Sequence, residues 1–384
     1  MGSQDRVPLF INRYSLSPHT AIGVQTLRLL GPHQDWLHFH WWTSSFQRPD
    51  PRSVLFENTV LSRYNFLHRP KPLRFFEMLG ISSWSGNDLR PSLAKRLIAP
   101  HRGRVSSAYV APLGEDDATR CLELTNLVGV PFVLHLWDVL DGDVASGALR
   151  ELVDRAERVF CVSQPLLDDV LKIRADADLL SFSRDASQAT AKPREQGPIK
   201  VVIHGNVISY AEGLNDLDQA IDLLERRGLP VEVLFLGSPK IMRLAKTTIK
   251  RRVKVRGFLP TQRALDKELS SAHVGFLPGP KLDPGCDLRS RYSIPSRILD
   301  FMAVDLPIVG VVHEASATGG FVRKLGLHPA ATCPGPEEVA DWLLRLSRPA
   351  FWAEQSARSR AAFDLLQSQE SPAQKLKRTL DKIA

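Results

Sequence analysis

The chain has 384 residues, 43% of them hydrophobic, and a formal net charge of +8. That length exceeds a single small core and points to two domains. No apolar run reaches the roughly eighteen residues of a membrane span, which excludes a predicted transmembrane helix, and the N-terminal "MGSQDRVPLF" lacks the apolar centre of a signal peptide. Cys121, Cys161, Cys286 and Cys333 lie far apart with no CxxC pairing, which argues against a disulfide framework or zinc site and for a reducing cytosol.

In chain order, "VPLFINRY" (Val7–Tyr14) and "WLHFHWW" (Trp36–Trp42) read as strands, with the helical spacing of "TAIGVQTLRLL" between them. From Arg63 to Arg104 the chain carries nine Lys/Arg against Glu77 and Asp88 alone. Such a patch suits an anionic partner or is a solvated basic face. Phe75, Phe76 and Trp84 accompany it without an RNA-binding signature, and nucleic acid is not expected. A strand "VSSAYVAP", a helix "DATRCLELTNLVG", a strand "PFVLHLWD", a helix "GALRELVDRAE", a strand "RVFCVS" and a helix "PLLDDVLKI" complete the first half. Short apolar strands separated by helices imply a parallel sheet covered on both faces. "SRDASQATAKPREQGP" (Ser183–Pro198) is polar and aperiodic and reads as a linker. The second half repeats the pattern: strands "IKVVIHG", "VEVLFLG", "KVRGFLP", "HVGFLPG" and "PIVGVV", with helices between them and terminal helices after "PEEVADWLLRLS".

"SRYSIPSRILDFMAVDLPIVG" (Ser290–Gly310) concentrates the polar chemistry. A loop after a parallel strand delivers arginines and serines to the start of a helix, where unpaired N–H groups favour phosphate. Pro295 fits the first turn, Arg297 can add a charge-assisted bond, and Arg289 and Arg291 precede it. Asp300 follows Arg297 by three residues and Ser296 by four, so it shares their face. The stretch is either a nucleoside-diphosphate grip, with Asp300 on the ribose, or a capped helix with a local Arg297–Asp300 pair.

The run "PSRILDFMAVDLPIVG" resembles the Pro-Ser-Lys/Arg…acid-aromatic-Met/Leu-Ala…Pro-Ile/Val-Val stretch of retaining glycosyltransferases of family 4. "VLFLGSPK", "VKVRGFLPTQRALDKELSSAHVGFLP", "VPFVLHLWDVLDG" and "AERVFCVSQPLLDDVL" are similar to other stretches of that family, and together they cover roughly Val130–Pro307. The resemblance implies the GT-B fold, two Rossmann-like doubly wound α/β domains facing a cleft, with C-terminal helices that cross back to the first domain. It places an acceptor-binding domain over 1–185, a linker over 186–198, a donor-binding domain over 199–350 and terminal helices over 351–384. It implies that Arg297, with Ser296 and Arg291, meets the donor diphosphate, that Asp300 meets the ribose, and that Gly237, Gly257 and Phe258 line the base site. Asn206 stands near a family arginine, Glu212 precedes Gly213 where a lysine is usual, and Tyr292 stands where an acid is frequent. Compensation by Arg289, Arg291 and Arg297 is the expectation.

In the first half, Asp138 closes "FVLHLWD" at a strand end, where it either faces the cleft as base or acceptor guide or is a loop carboxylate. His135, three residues earlier, is a second catalytic candidate or a core histidine. Gly23 in "SPHTAIG" is the candidate for a phosphate or acceptor loop. "DGD" (Asp141–Asp143) reads as a polar turn rather than a metal site, and neither metal nor cofactor is expected. The implied function is metal-independent transfer of a sugar, with retention, from a nucleotide-diphosphate sugar to a hydroxyl on a polysaccharide or lipid-linked glycan. The expected setting is the cytoplasm, with an anionic membrane surface as a partner at its inner face. An epimerase on the same fold and a catalytically silent binding protein are the alternatives; a nicotinamide dehydrogenase is disfavoured because no GxGxxG follows a strand.

Overall fold

A computed structural model of the chain describes residues 6–14, 21–31, 36–42, 103–139, 141–245, 247–259, 261–279, 285 and 287–384. The basic stretch from Arg63, with Phe75, Phe76 and Trp84, lies outside these residues except for Arg104, as do Cys286 and Ser17–Thr20. The described residues divide into two compact units, one of Met1–Ser183 with Ser371–Ala384 and one of Arg184–Glu370.

The first unit is a six-stranded sheet, in the order β2-β1-β3-β4-β5-β6. Its strands are β1 (Val7–Tyr14), β2 (Leu37–Trp42), β3 (Val105–Ala111), β4 (Phe132–Leu136), β5 (Arg158–Cys161) and β6 (Ala177–Leu179), and every pairing is parallel. The helices α1 (Ala21–Leu30), α2 (Glu115–Val128), α3 (Gly147–Arg155) and α4 (Gln164–Leu171) provide crossovers. Parallel strands need such connections, and burial on both faces explains why β3 and β4 read as continuous apolar runs. Two helix starts are tied together by side chains. Asp141 Oδ1 accepts from Glu115 N at 2.6 Å, and the Glu115 carboxylate accepts from Ala148 N and Leu149 N of α3. "DGD" is therefore a capping turn, with Asp143 Oδ1 accepting from Ala145 N.

The second unit is a five-stranded parallel sheet, in the order β11-β10-β7-β8-β9. In chain order it runs β7 (Ile199–His204), α5 (Ala211–Arg226), β8 (Val231–Leu236), α6 (Pro239–Leu244), β9 (Val253–Val255), α7 (Gln262–Ser270) and β10 (Val274–Pro278). It continues with α8 (Leu288–Tyr292), α9 (Arg297–Met302), β11 (Ile308–Val311), α10 (Ala317–Lys324), α11 (Pro336–Leu346) and α12 (Pro349–Gln367). Residues 186–198 carry no helix or strand and pack on this unit: Ala191 is buried, and its N–H donates to Val304 O at 2.8 Å. The last helix, α13 (Pro372–Ile383), belongs to the first unit, where Leu376 and Leu380 join a core of Phe10, Trp36, Tyr109 and Phe160. Lys375 fixes it there by donating to Asp178 Oδ2 and Leu179 O. Of the expected terminal helices, α13 returns to the first unit and α12 stays with the second.

Candidate functional site

The chemistry gathers at the carboxyl ends of β7, β8 and β10 in the second unit, where open parallel sheets place their ligands. β7 ends at His204 and turns through Gly205, whose φ of 84° is a backbone conformation that a side chain would strain. β8 ends at Gly237, where an added Cβ would lie 2.6 Å from Phe235 Cζ and 3.2 Å from Gly205 O. The two glycines let adjacent strand ends turn without side chains in the way.

α9 brings Arg297 to this place. The sequence predicts that Pro295 and Ser296 open a helix with free amides. The structure alters that: Ile298 N donates to Pro295 O and Leu299 N to Ser296 O, so tight first-turn bonds occupy these two donors. The anion-binding character therefore rests on the guanidinium. Arg297 is only 8% exposed. Its Nη2 donates to Asn206 O at 2.5 Å, its Cζ lies 5.5 Å from the centre of the Tyr210 ring, and its Nη1 is buried with no hydrogen-bond partner among the described residues. Burial pushes its pKa down, and Tyr210 and Asp300 partly offset that. A buried, half-satisfied guanidinium costs free energy that an anion would recover.

Asp300 is not presented as an unpaired carboxylate. Its Oδ1 accepts from Arg184 Nε at 2.9 Å, and its Oδ2 lies 3.4 Å from His204 Nε2. Arg184 also donates through Nη2 to Asp266 Oδ1 at 2.5 Å, and Asp266 Oδ1 accepts from Gln262 Nε2 at 2.8 Å. Arg184, Asp300 and Asp266 are all buried, and the one guanidinium is shared between the two carboxylates. Sequence reasoning missed Arg184, His204 and Asp266. Arg184 lies in an aperiodic polar stretch, and the only signal was an arginine beside a linker.

The other predicted residues are distributed as follows. Asn206 is exposed; its backbone carbonyl serves Arg297, and its Oδ1 accepts from Ile208 N at 3.1 Å. Glu212 is exposed on the first turn of α5, and Gly213 beside it is buried with Pro278 Cα 3.5 Å from where a Cβ would sit. Ser296 is half-buried and Arg291 exposed, with its guanidinium 5.0 Å from the centre of the Tyr292 ring. Gly257 turns the chain after β9 with φ 82°, and Phe258 beyond it is exposed.

In the first unit, Gly23 is buried within α1, and Asp138 is half-buried just past β4. His135 belongs to the core rather than to an open strand end. It is fully buried, its Nδ1 faces Tyr109 Oη at 2.8 Å and Trp137 Nε1 at 2.6 Å, and its Nε2 faces Leu180 O at 3.0 Å. An indole N–H only donates and a carbonyl only accepts, so the ring is the neutral Nε2–H tautomer. Burial pulls its pKa down to about 3. Of the two readings of His135, the structure supports the core histidine and not the catalytic one: β4 is buried on both faces, and the ring nitrogens are taken up by Tyr109, Trp137 and Leu180. No group of three or more His, Cys, Asp or Glu suited to a metal ion occurs among the described residues. A groove of about 450 Å³ lined by Lys200, Glu232, Lys254, Arg256 and Glu268 lies toward the amino ends of β7 and β8, and its mixed charges do not belong to the Arg297 cluster.

Among solved structures, HepE from Anabaena in complex with UDP-glucose matches 98% of this chain and 99% of its own, with TM-score 0.65 and 14% identity. Trehalose-6-phosphate synthase OtsA matches with TM-score 0.62 and 12% identity, over 98% of this chain and 99% of its own. Sucrose-phosphate synthase from Thermosynechococcus elongatus matches with TM-score 0.62 and 11% identity over the same shares. The two units have the GT-B glycosyltransferase fold. At such identities the likeness shows the fold alone. No protein-family model and no curated protein matches the sequence. Within the GT-B frame, the Arg297 cluster occupies the strand ends of the second Rossmann-like unit, and no helix among the described residues is long and apolar enough to cross a membrane.

Proposed function

We propose that the chain is a retaining, metal-independent glycosyltransferase of family 4 type, moving a sugar from a nucleoside diphosphate to a glycan or lipid-linked hydroxyl acceptor on the cytoplasmic side. One observation carries the reading: Arg297 is buried at the carboxyl end of a parallel sheet with Nη1 unpartnered among the described residues. A diphosphate oxygen would complete that guanidinium. As the bond from the sugar to the diphosphate breaks, charge grows on the leaving oxygen, and a preorganised cation stabilises it without reorganisation. The acceptor oxygen forms the new bond on the same face of the sugar, and its proton passes to the departing diphosphate. Asp300, whose Oδ2 is only 3.4 Å from His204 Nε2, is assigned to the ribose hydroxyls. Gly237, Gly257 and Phe258 are assigned to the base, and Asp138 to the acceptor. HepE supports the donor class, since it is a protein of this fold in complex with UDP-glucose.

The test is calorimetric titration with UDP-, GDP- and ADP-sugars, followed by a donor-hydrolysis panel. Binding and slow hydrolysis of one donor are expected. If none binds, the transferase reading fails, and the silent binding protein suggested by Asn206 and Glu212 takes its place. Turnover without any acceptor to an isomeric nucleotide-sugar would instead identify an epimerase.

A further inference from the structure

The crossover from β8 to β9 has a composition unlike the rest of the chain. Between Ser238 and Phe258 there are eight Lys/Arg and no Asp/Glu. The same segment holds Leu244, Val255 and Phe258, exposed by 54%, 40% and 45%. These are three of the six exposed large hydrophobics among the described residues.

Some of this charge is already used within the fold. Arg252 pairs with Asp218 at 2.9 Å, with Glu225 at 2.8 Å and with Asp222. Lys254 pairs with Glu232 and Arg256 with Glu268. A cation on an edge strand also deters pairing with another sheet, which gives Lys254 a second role within the fold. Neither explanation reaches Arg243, Lys250 and Arg251. All three are exposed, lie outside any strand, and have no carboxylate within 4.0 Å among the described residues. They adjoin one another: Lys250 Nζ donates to Arg243 O at 3.0 Å, which folds the 3₁₀ turn Ile249–Arg251 back on the end of α6. Leu244, the last residue of α6, projects from this cationic cluster.

We propose that the α6–β9 crossover, through Arg243, Lys250, Arg251 and Leu244, docks the protein on an anionic lipid bilayer. Charge complementarity selects the negative surface. The exposed leucine among the cations favours a bilayer over a soluble polyanion, because a bilayer offers an acyl boundary beneath its headgroups and a polyanion does not. This surface is separate from the Arg63–Arg104 stretch and does not depend on the glycosyltransferase reading.

The test is flotation of the full chain with vesicles of phosphatidylcholine alone or with phosphatidylglycerol, at low and high salt. The protein is expected to co-float with the phosphatidylglycerol vesicles at low salt only. The triple variant Arg243→Gln, Lys250→Gln, Arg251→Gln is expected to lose partitioning by on the order of a hundredfold, at about 1 kcal/mol per cation. Leu244→Ser is expected to weaken vesicle binding about tenfold while leaving retention on dextran sulfate unchanged. Thermal melts matching the parent confirm folding, since all four side chains are exposed. Absence of co-flotation overturns the proposal. So does undiminished co-flotation of the triple variant, which would move the contact elsewhere on the chain. Vesicle binding indifferent to Leu244→Ser would make the surface a site for soluble polyanions instead.

Discussion

Replacing Arg297 with Met separates a ligand-binding arginine from a structural one. The substitution keeps an unbranched apolar stem and removes the guanidinium. Among the described residues, that guanidinium makes one hydrogen bond, to Asn206 O, and one ring contact, with Tyr210. Losing a charged hydrogen bond costs about 1.5–3 kcal/mol, and losing the ring contact about 0.5–1 kcal/mol. Against these losses stand removal of a buried, unpartnered Nη1, about 1–3 kcal/mol, and relief of the desolvated charge that lowers the arginine pKa. The terms nearly cancel, so urea midpoints of parent and variant should agree to within about 1 kcal/mol. Nucleotide affinity has no such compensation. A lost charge-assisted bond to phosphate, about 2–3 kcal/mol, raises Kd by roughly thirty- to two-hundredfold. Calorimetry with the preferred nucleotide and urea unfolding read the two quantities. A variant that unfolds several kcal/mol more easily and binds nucleotide unchanged would make Arg297 a structural residue and refute the argument.

Two further outcomes follow from the buried polar groups. His135 titrates at about 3 when folded against an ordinary 6.5, so the unfolded chain binds the extra proton first. Its contribution is complete above about pH 6.5 and is lost as pH falls toward 3, at about 1.4 kcal/mol per pH unit. Unfolding free energy measured from pH 7 to 5 should fall less steeply in His135→Gln than in the parent; equal slopes would place the ring in contact with solvent. Arg184→Ala leaves Asp300 and Asp266 buried without their shared cation and should destabilise the second unit by about 3–5 kcal/mol, seen as an earlier unfolding transition. A change below about 1 kcal/mol would show that water already screens that pair.

Most of the architecture could be read locally. The run "VVI" (Val201–Ile203) is buried on both faces of a parallel sheet, so its composition alone marks a central strand. Pro295, Ser296 and Arg297 announce a helix start in three letters, and the structure begins α9 at Arg297. Aspartates spaced as "DGD" are turn formers, and here they hold a turn, from which Asp141 accepts from the first amide of α2. The resemblance to family 4 also led to the right fold, because order and spacing of elements survive when identities do not.

The pairing of charges could not be read in this way. Arg184 meets Asp266 and Asp300 across 82 and 116 residues, and nothing in its neighbours signals burial. His135 and Asp138 are three letters apart in one stretch, yet the first is held in a dry core by Tyr109, Trp137 and Leu180 while the second is half-buried past the strand end. Periodicity and turn chemistry act over a few residues and are therefore written in the sequence. The protonation, pairing and reach of an ionisable group depend on which distant atoms replace its water, and only the folded chain chooses those atoms.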